Sequence, residues 1–266
     1  MTLTASCETE AVALRSLQKW HGAGNDFLVD VNGDGEQFWT SERVAAVCDR
    51  TTGVGADGLL VASSSEPVAM TLFNADGSIA EMSGNGARCF AGAMRRANGA
   101  TWNELIIDTI AGVKTVQLEM ASETSGRGSV AMGEVTLGND LDGAWGVAYV
   151  GNPHVVVHDD PSMSDPAREE LAEKLAAQLG GANVEFVTVL GDGHASLRVI
   201  ERGVGWTQAC GTGTCAVAAV LRRDGLAKDH VTVENPGGTL EVQFDGDQVT
   251  LSGPLQFIAD VEWLAA

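Results

Sequence analysis

The chain has 266 residues and carries 16 Lys and Arg against 36 Asp and Glu, a formal net charge of −20. Because such an acidic surface repels the phosphate backbone, we expect no nucleic-acid partner. No apolar run reaches the ~20 residues of a membrane span, and the first 16 residues lack the basic start and apolar run of a signal peptide. We therefore expect no membrane partner and a cytoplasmic location.

The cysteines are five in number and irregularly spaced, which favours a reducing compartment over a disulfide framework. The chain contains no CxxC motif. His154 and His158 fall in a strand-like run that would separate them by about 13 Å, so we expect no metal site.

Short β-type runs separated by Gly and Asp turns dominate the first half of the chain. In chain order, the predicted elements are a helix at 41–50, strands at 59–63 and 69–74, a glycine-led helix at 86–97, and strands at 104–110 and 114–120.

The second half repeats this alternation. Its predicted elements are strands at 145–150 and 154–158, a helix at 164–179, strands at 185–190 and 194–200, a glycine-led helix at 213–224, and strands at 231–234, 240–244 and 248–253. Many short strands with few helices predict an α+β fold, either a curved sheet or a barrel around a helix. Periodicity alone does not decide between the two.

The two halves also align with each other at an offset of 127 residues. The aligned landmarks are Ser83 with Cys210, Asn25 with Asn152, Asn74 with Glu201, Arg95-Arg96 with Arg222-Arg223, and the glycine turn and strand at 53–61 with those at 181–189, residue 180 lying opposite residue 53. This ungapped register predicts two domains of similar fold, 1–137 and 138–266, related by a pseudo-twofold axis.

Two glycine turns, SGNG from Ser83 and CGTG from Cys210, each lead into a predicted helix. Glycines allow a ligand to approach the backbone closely, and the unpaired N–H groups of a helix start bind anions. Neither turn carries the lysine typical of a phosphate loop, so a carboxylate is the better ligand.

A cysteine at a helix start has a stabilised thiolate, so we predict that the pKa of Cys210 is lowered into the range ~3.5–7.5. Two such turns that face each other would place two acid/base groups on opposite sides of one carbon. One group would remove a proton while the other delivers one, which inverts the carbon without a metal or a pyridoxal cofactor.

Six motifs carry a family resemblance, in the order KWHGAGNDF, DRTTGVGADGLL, NADGSIAEMSGNGARCFA, GNPH, NVEFV and ERGVGWTQACGTGTCA. From about residue 14 onward the chain resembles the diaminopimelate epimerases, a pyridoxal-independent, proline-racemase-like family. The resemblance implies two similar domains, each a β-barrel-like sheet around a central helix, with the site in the cleft between them. It also implies an amino-acid substrate, no cofactor and a homodimer.

The resemblance further implies roles for individual residues. The catalytic set is Cys210, Ser83 at the place of the family's other catalytic cysteine, and His154 and Glu201 as assistants of proton transfer. The substrate-binding set is Asn25, Asn74, Gly84, Asn85, Asn152, Asn183, Arg202, Gly211 and Thr212.

Three positions depart from the family pattern. Trp206 replaces a glutamate, Gly58 stands where some members have glutamine, and Ser83 replaces a cysteine. The third matters most because an alkoxide is far harder to form than a thiolate. Ser83 is either an engineered or recent replacement of the cysteine, which the otherwise unbroken motif favours, or a natural residue of an enzyme with altered chemistry.

The leading hypothesis is cofactor-independent epimerisation of LL-diaminopimelate to meso-diaminopimelate, impaired by Ser83. A related amino-acid racemase, or a hydroxyproline-type dehydratase that uses the Ser/Cys pair, is the alternative enzyme. A non-catalytic amino-acid-binding protein that has kept the pocket is the third interpretation.

Overall fold

The computed structural model describes residues 13–265, which form seventeen strands and five helices. The strands are β1 (Ala13–Gly22), β2 (Asn25–Asp30), β3 (Gly58–Ala62), β4 (Val68–Asn74), β5 (Ile79–Ala80), β6 (Glu104–Asp108), β7 (Lys114–Met120), β8 (Ser125–Glu134), β9 (Thr136–Leu137), β10 (Gly146–Val150), β11 (Asn152–His158), β12 (Asn183–Gly191), β13 (His194–Glu201), β14 (Gly205–Thr207), β15 (His230–Asn235), β16 (Gly238–Asp245) and β17 (Gln248–Ala265). The helices are α1 (Gly35–Phe38), α2 (Ser41–Cys48), α3 (Gly84–Ala97), α4 (Asp165–Gln178) and α5 (Gly211–Arg223).

The strands of the first half close into a ring around α3. Strand β1 pairs with β2, β2 runs parallel to β3, and β3 pairs with β4. Strand β4 runs parallel to β6, and β6, β7 and β8 follow as antiparallel neighbours. Strand β17 joins β8 back to β1 and closes the ring. Every residue of α3 from 84 to 93 is buried, as expected for a helix enclosed on all sides.

The second half builds the same ring around α5. Strand β10 pairs with β11, β11 runs parallel to β12, β12 pairs with β13, and β13 runs parallel to β15. Strands β16 and β17 complete the run, and the β8–β9 segment returns to β10 through the β9–β10 pair. The predicted α+β fold, with two barrel-like sheets that each surround a central helix, is confirmed.

Strands β8 and β17 serve both rings, because β17 pairs with β1, β8 and β16 along its 18 residues. All seventeen strands therefore belong to one continuous sheet. The predicted boundary between residues 137 and 138 falls just after β9, and it stays a prediction.

The repeat offset of 127 is wrong for one landmark. Phe27 of β2 faces Gly58 of β3, whereas His154 of β11 faces Asn183 of β12. The offset is therefore 127 on the first strand of each pair and 125 on the second. The connection between the parallel strands is two residues shorter in the second half, so Leu60, not Gly58, is the structural counterpart of Glu185.

The four predicted helices are confirmed, although α3 and α5 each begin two residues earlier than predicted because the residue before the first glycine caps the helix. Cys89 of α3 and Cys215 of α5 are fully buried. Strands β1, β2, β5, β8, β9 and β14 were missed, and so was the short helix α1. Within residues 13–265 no helix is both long and apolar enough to cross a membrane.

Candidate active site

Ser83 and Cys210 occupy equivalent positions as the capping residues of α3 and α5. The Gly86 backbone N–H donates to Ser83 Oγ at 3.0 Å, and the Gly213 backbone N–H donates to Cys210 Sγ at 3.4 Å. Both capping residues have extended backbone angles, as is usual at this position. The remaining N–H groups of each first turn are left to bind a ligand.

The two helix starts converge on the same side chain. A β-carbon added to Gly84 would lie 2.7 Å from Leu251 Cδ2, and one added to Gly211 would lie 2.8 Å from the same atom. Leu251 is fully buried, so it has little room to retreat. A side chain at either position would therefore displace Leu251 or move the two helix starts apart.

A cavity of about 550 Å³ opens at this junction, and residues of both halves line it. The cavity brings together ten of the predicted site residues, namely Asn25, Asn74, Ser83, Gly84, Asn85, Glu201, Arg202, Cys210, Gly211 and Thr212. Its lining also includes Phe27, Asp57, Asp76 and Thr207, none of which the sequence singled out.

Three predicted residues, Asn152, His154 and Asn183, are not part of this lining. His154 is fully buried, and its Nε2 lies 2.9 Å from Asn152 Oδ1. Asn183 Oδ1 accepts the backbone N–H of Arg202 at 2.8 Å, so this asparagine holds a residue of the cavity wall. The three side chains thus lie outside the lining, and Asn183 is bonded to a residue that belongs to it.

Glu185 belongs to the same cluster and was missed. Its Oε1 lies 2.7 Å from His154 Nδ1, and both side chains are completely buried. Its other oxygen, Oε2, has no hydrogen-bond partner among residues 13–265. A β-carbon on Gly213 would lie 2.6 Å from Oε1, which places the carboxyl group against the first turn of α5. The available signal was a lone acidic residue inside the apolar run NVEFV.

The predicted lowering of the Cys210 pKa is wrong. Burial raises the pKa of Cys210 well above its usual value, and the nearby carboxylates of Glu201 and Glu185 raise it further. Hydrogen bonds with Thr212 and the Gly213 N–H oppose this rise but do not overcome it. At this buried position the helix start does not compensate for the lost hydration of the sulfur atom, so Cys210 rests as a protonated thiol.

The surroundings of Glu201 also shift its pKa. Burial raises its pKa above that of an ordinary glutamate, while hydrogen bonds from Thr207 and Cys210 partly oppose the shift. Thr207 Oγ1 donates to Glu201 Oε1 at 2.5 Å. Glu201 is thus a cavity carboxyl group in contact with the thiol, with a pKa closer to neutrality than usual.

Ser83 has a different background. A β-carbon on Gly86 would meet Leu60 Cδ2 at 3.3 Å, in the place where one on Gly213 meets Glu185. Phe27 likewise occupies the strand position of His154. The Ser83 hydroxyl group is therefore backed by two apolar side chains, Phe27 and Leu60. The Cys210 thiol is backed instead by the His154–Glu185 pair.

The two other departures from the family pattern lie outside this chemistry. Trp206 donates its Nε1 to Glu169 Oε1 at 2.7 Å and stacks 4.3 Å from the Arg198 guanidinium, so it faces α4. Gly58 lies in a buried strand, where a β-carbon would come 2.5 Å from the Phe73 carbonyl oxygen. Glutamine would not fit there without a shift of the backbone.

The cavity lining contains one thiol, that of Cys210, and the carboxyl groups of Asp57, Asp76 and Glu201. Among residues 13–265, no three His, Cys, Asp or Glu side chains are grouped closely enough to hold a metal ion. The donors that do converge are the N–H groups of two helix starts, which suit a carboxylate.

Comparison with known proteins gives a consistent result. The family model described as diaminopimelate epimerase matches residues 17–138 and 146–258. A diaminopimelate epimerase of Desulforudis audaxviator is 37% identical and covers 93% of this chain and 99% of its own, and that of Synechococcus elongatus is 39% identical over 89% and 93%.

Solved structures show the same fold at low identity. A hydroxyproline epimerase from Agrobacterium vitis, with bound trans-4-hydroxy-L-proline, superposes with a TM-score of 0.73 at 15% identity, covering 94% of this chain and 92% of its own. A phenazine biosynthesis protein of the PhzF family from Bacillus anthracis gives a TM-score of 0.73 at 17% identity, covering 95% and 100%.

Proposed function

The chain belongs to the diaminopimelate epimerase family, and we propose that it is an isomerase that interconverts LL- and meso-diaminopimelate in the cavity between its two barrels. The observation that supports this most is the matched placement of Ser83 and Cys210. Each caps the helix at the centre of its own barrel, and both line one cavity. Two groups so placed flank a single carbon atom.

The α-carboxylate of the substrate binds at the junction of α3 and α5. Backbone N–H groups from both first turns donate to it, and their support grows as the carboxylate takes on enediolate character when the α-proton leaves. Because Gly84 and Gly211 carry no side chains, the ligand can reach both sets of N–H groups at once.

Cys210 exchanges the proton on one face of the α-carbon. The thiol must first lose its own proton, and Glu201 is the carboxyl group in contact with it. The buried pair His154–Glu185 lies directly behind the first turn of α5 and holds this part of the site in place. Cys210 and Glu201 together can therefore both remove a proton from this face and return one to it.

Ser83 limits the reaction on the other face. A serine hydroxyl group is a far weaker acid than a thiol, and Phe27 and Leu60 offer it no proton acceptor. We therefore propose that the chain exchanges the α-proton readily but inverts the carbon slowly.

Incubation with LL- and with meso-diaminopimelate in D₂O tests this function. We expect α-deuterium to enter from one epimer much faster than the stereochemistry changes. Cys210→Ala should abolish the exchange, and Cys215→Ala, a buried thiol one turn farther along α5, should not. Exchange that survives Cys210→Ala, or binding without exchange from either epimer, would contradict the proposal; the second result would favour a binding protein.

The proposal includes three further properties that rest on family membership. The enzyme works without pyridoxal phosphate, forms a homodimer, and acts in the cytoplasm. Absorbance of the purified protein near 400 nm checks the first, and light scattering coupled to gel filtration checks the second. Fractionation of the source cells checks the third.

A further inference from the structure

We propose that Arg88 and Asp57 are positioning residues: they orient the side-chain amides of Asn85 and Asn25 so that both offer N–H groups to the ligand, which gives this end of the cavity its preference for a carboxylate over a carboxamide. The identity of that carboxylate, on diaminopimelate, rests on the proposed function. The orientation of the amides rests on the structure alone.

Arg88 is a buried cation without a counter-ion. Its side chain is fully buried in α3, and no Asp or Glu of residues 13–265 lies within 4 Å of the guanidinium. Its Nη1 donates to the Gly84 carbonyl oxygen at 3.1 Å and its Nη2 to Asn85 Oδ1 at 2.6 Å, while Nε has no partner. A buried, unpaired charge is costly, and an apolar side chain of similar size would fold at least as well. Stability therefore does not account for this arginine.

The surrounding strands make room for the arginine. Gly128 of β8 and Gly253 of β17 lie directly opposite each other in the sheet. A β-carbon on Gly253 would lie 2.8 Å from Arg88 Nη2, and one on Gly128 would lie 3.0 Å from Arg88 Cγ. Glycine inside a strand is unfavourable unless something must approach closely. The β-carbon on Gly253 would also lie 2.4 Å from Leu240 Cδ2. The two paired glycines therefore leave room for the arginine, one beside its guanidinium and one beside its aliphatic stem.

The arginine begins a hydrogen-bonded chain with a defined direction. Arg88 donates to Asn85 Oδ1, Asn85 Nδ2 donates to Asn25 Oδ1 at 3.3 Å, and Asn25 Nδ2 donates to Asp57 Oδ2 at 2.7 Å. A guanidinium can only donate and a carboxylate can only accept. The two ends therefore fix both amides, and neither can rotate by 180° without loss of two bonds.

Each amide nitrogen has a second hydrogen that these bonds do not use. Asn85 and Asn25 both line the cavity, at the end formed by the start of α3. Burial lowers the pKa of Arg88 to about 10, so the side chain is still cationic at neutral pH. The ligand is thus bound by amide N–H groups that lie next to the positive charge of Arg88, which has no carboxylate partner among the described residues.

The second barrel lacks this arrangement. The counterparts of Asn85 and Arg88 there are Thr212 and Cys215, and the counterpart of Asn25 is Asn152, which is bonded to His154. The carboxylate preference is therefore a property of the Ser83 side of the cavity.

Calorimetric binding of meso-diaminopimelate and of its diamide tests the inference. Arg88→Met should reduce the ratio of the two affinities by about tenfold or more, as expected for loss of a charge-assisted bond. Arg88→Lys, which keeps the charge, should give an intermediate ratio. Arg95→Met is the matched control, because Arg95 lies on the same helix but bonds to the Ala100 carbonyl oxygen; its ratio should equal that of the wild type.

Asp57→Asn provides the second variant, at a half-exposed position. The amide keeps one accepting oxygen but places an NH₂ group beside a donor, either the Arg50 guanidinium or the Asp26 backbone N–H, so its hold on Asn25 weakens. Because Arg88 still orients Asn85, the affinity ratio should fall by less than in Arg88→Met. A wild-type ratio, within twofold, in both Arg88→Met and Asp57→Asn would overturn the inference. This test measures affinities and does not depend on catalysis. If the wild type showed no proton exchange, the proposed function would be refuted, but the affinity ratios would still test the orientation of the amides.

Discussion

Gly84 and Gly211 bring the starts of α3 and α5 close together: a β-carbon added to Gly211 would lie 3.8 Å from the Gly84 α-carbon. The positive ends of two helices therefore point at one small volume, and their effects on a bound carboxylate add. One residue before each glycine stands the capping residue, Ser83 or Cys210, that we propose faces the substrate carbon.

Gly211→Ala tests this close approach. The new methyl group would lie 2.8 Å from Leu251 Cδ2, so either Leu251 or the helix starts must move, and we expect about 1–3 kcal/mol of destabilisation together with a large loss of proton exchange. Leu251→Ala in the same chain should restore part of both. Gly191→Ala, at a site with open space around the β-carbon, is the control and should leave both unchanged. Urea unfolding and α-deuteration measure the two effects.

Ser83→Cys should restore the second acid/base group. We expect the rate of inversion to rise by about a hundredfold or more, the usual contribution of a positioned proton donor, while exchange on the Cys210 face changes little. Ser164→Cys is a matched control, since Ser164 caps α4 in the same way, away from the cavity. Polarimetry or chiral chromatography, under reducing conditions, follows the inversion. An unchanged inversion rate would show that Ser83 is not the limiting group.

The raised pKa of Cys210 predicts slow alkylation at neutral pH. Because burial and two carboxylates favour the thiol, the rate with iodoacetamide should stay low at pH 7 and rise only above the pH at which ordinary cysteines react. Glu201→Gln removes one of these carboxylates, so its rate profile should move toward lower pH. Peptide mass spectrometry separates Cys210 from Cys89 and Cys215, whose pKa burial raises to about 12. A fast reaction at pH 7 would contradict the protonated thiol.

Glu185→Gln tests the buried pair behind the thiol. The amide preserves the shape but removes the charge beside His154 and leaves a buried NH₂ group that lacks partners, so we expect about 1–3 kcal/mol of destabilisation. It should also lower the pKa of Cys210, which the Glu185 carboxylate raises. Glu234→Gln is the control, because Glu234 pairs with His194 at 2.9 Å on the surface, where such pairs contribute less than about 1 kcal/mol. Equal effects of the two variants would show that burial of the pair is unimportant.

The sequence predicted the parts of the site that depend on local pattern. The glycine-led helices and the equivalence of Ser83 and Cys210 followed from spacing alone. Glu185 was missed because it lies in the middle of an apolar strand, where the hydrophobic pattern hides a single acidic residue. The series of hydrogen bonds from Arg88 to Asp57 was also missed. Its ends are 31 positions apart in the sequence, and only the fold brings them together.

The predicted direction of the Cys210 pKa shift was wrong for a related reason. A helix start lowers the pKa of a thiol where water and N–H groups reach it, and the sequence contains no measure of burial or of distant carboxylates. The two-residue shift between the repeats also escaped the sequence comparison. The length of a surface connection changes the register of the following strand, and an ungapped comparison cannot detect such a change.

The pairing of β1 with β17 has a consequence for how this protein can be cut and rejoined. Ala13 faces Ala265, so the first and last described residues are neighbours on adjacent strands. A circular permutant that joins the original ends and opens the chain between Asn139 and Asp140, two exposed residues outside any strand, would lose no strand pairing. Such a chain would present the Cys210 barrel first and the Ser83 barrel second, and it should fold to the same cavity. Formation of the cavity would then not depend on the order in which the two repeats follow each other along the chain.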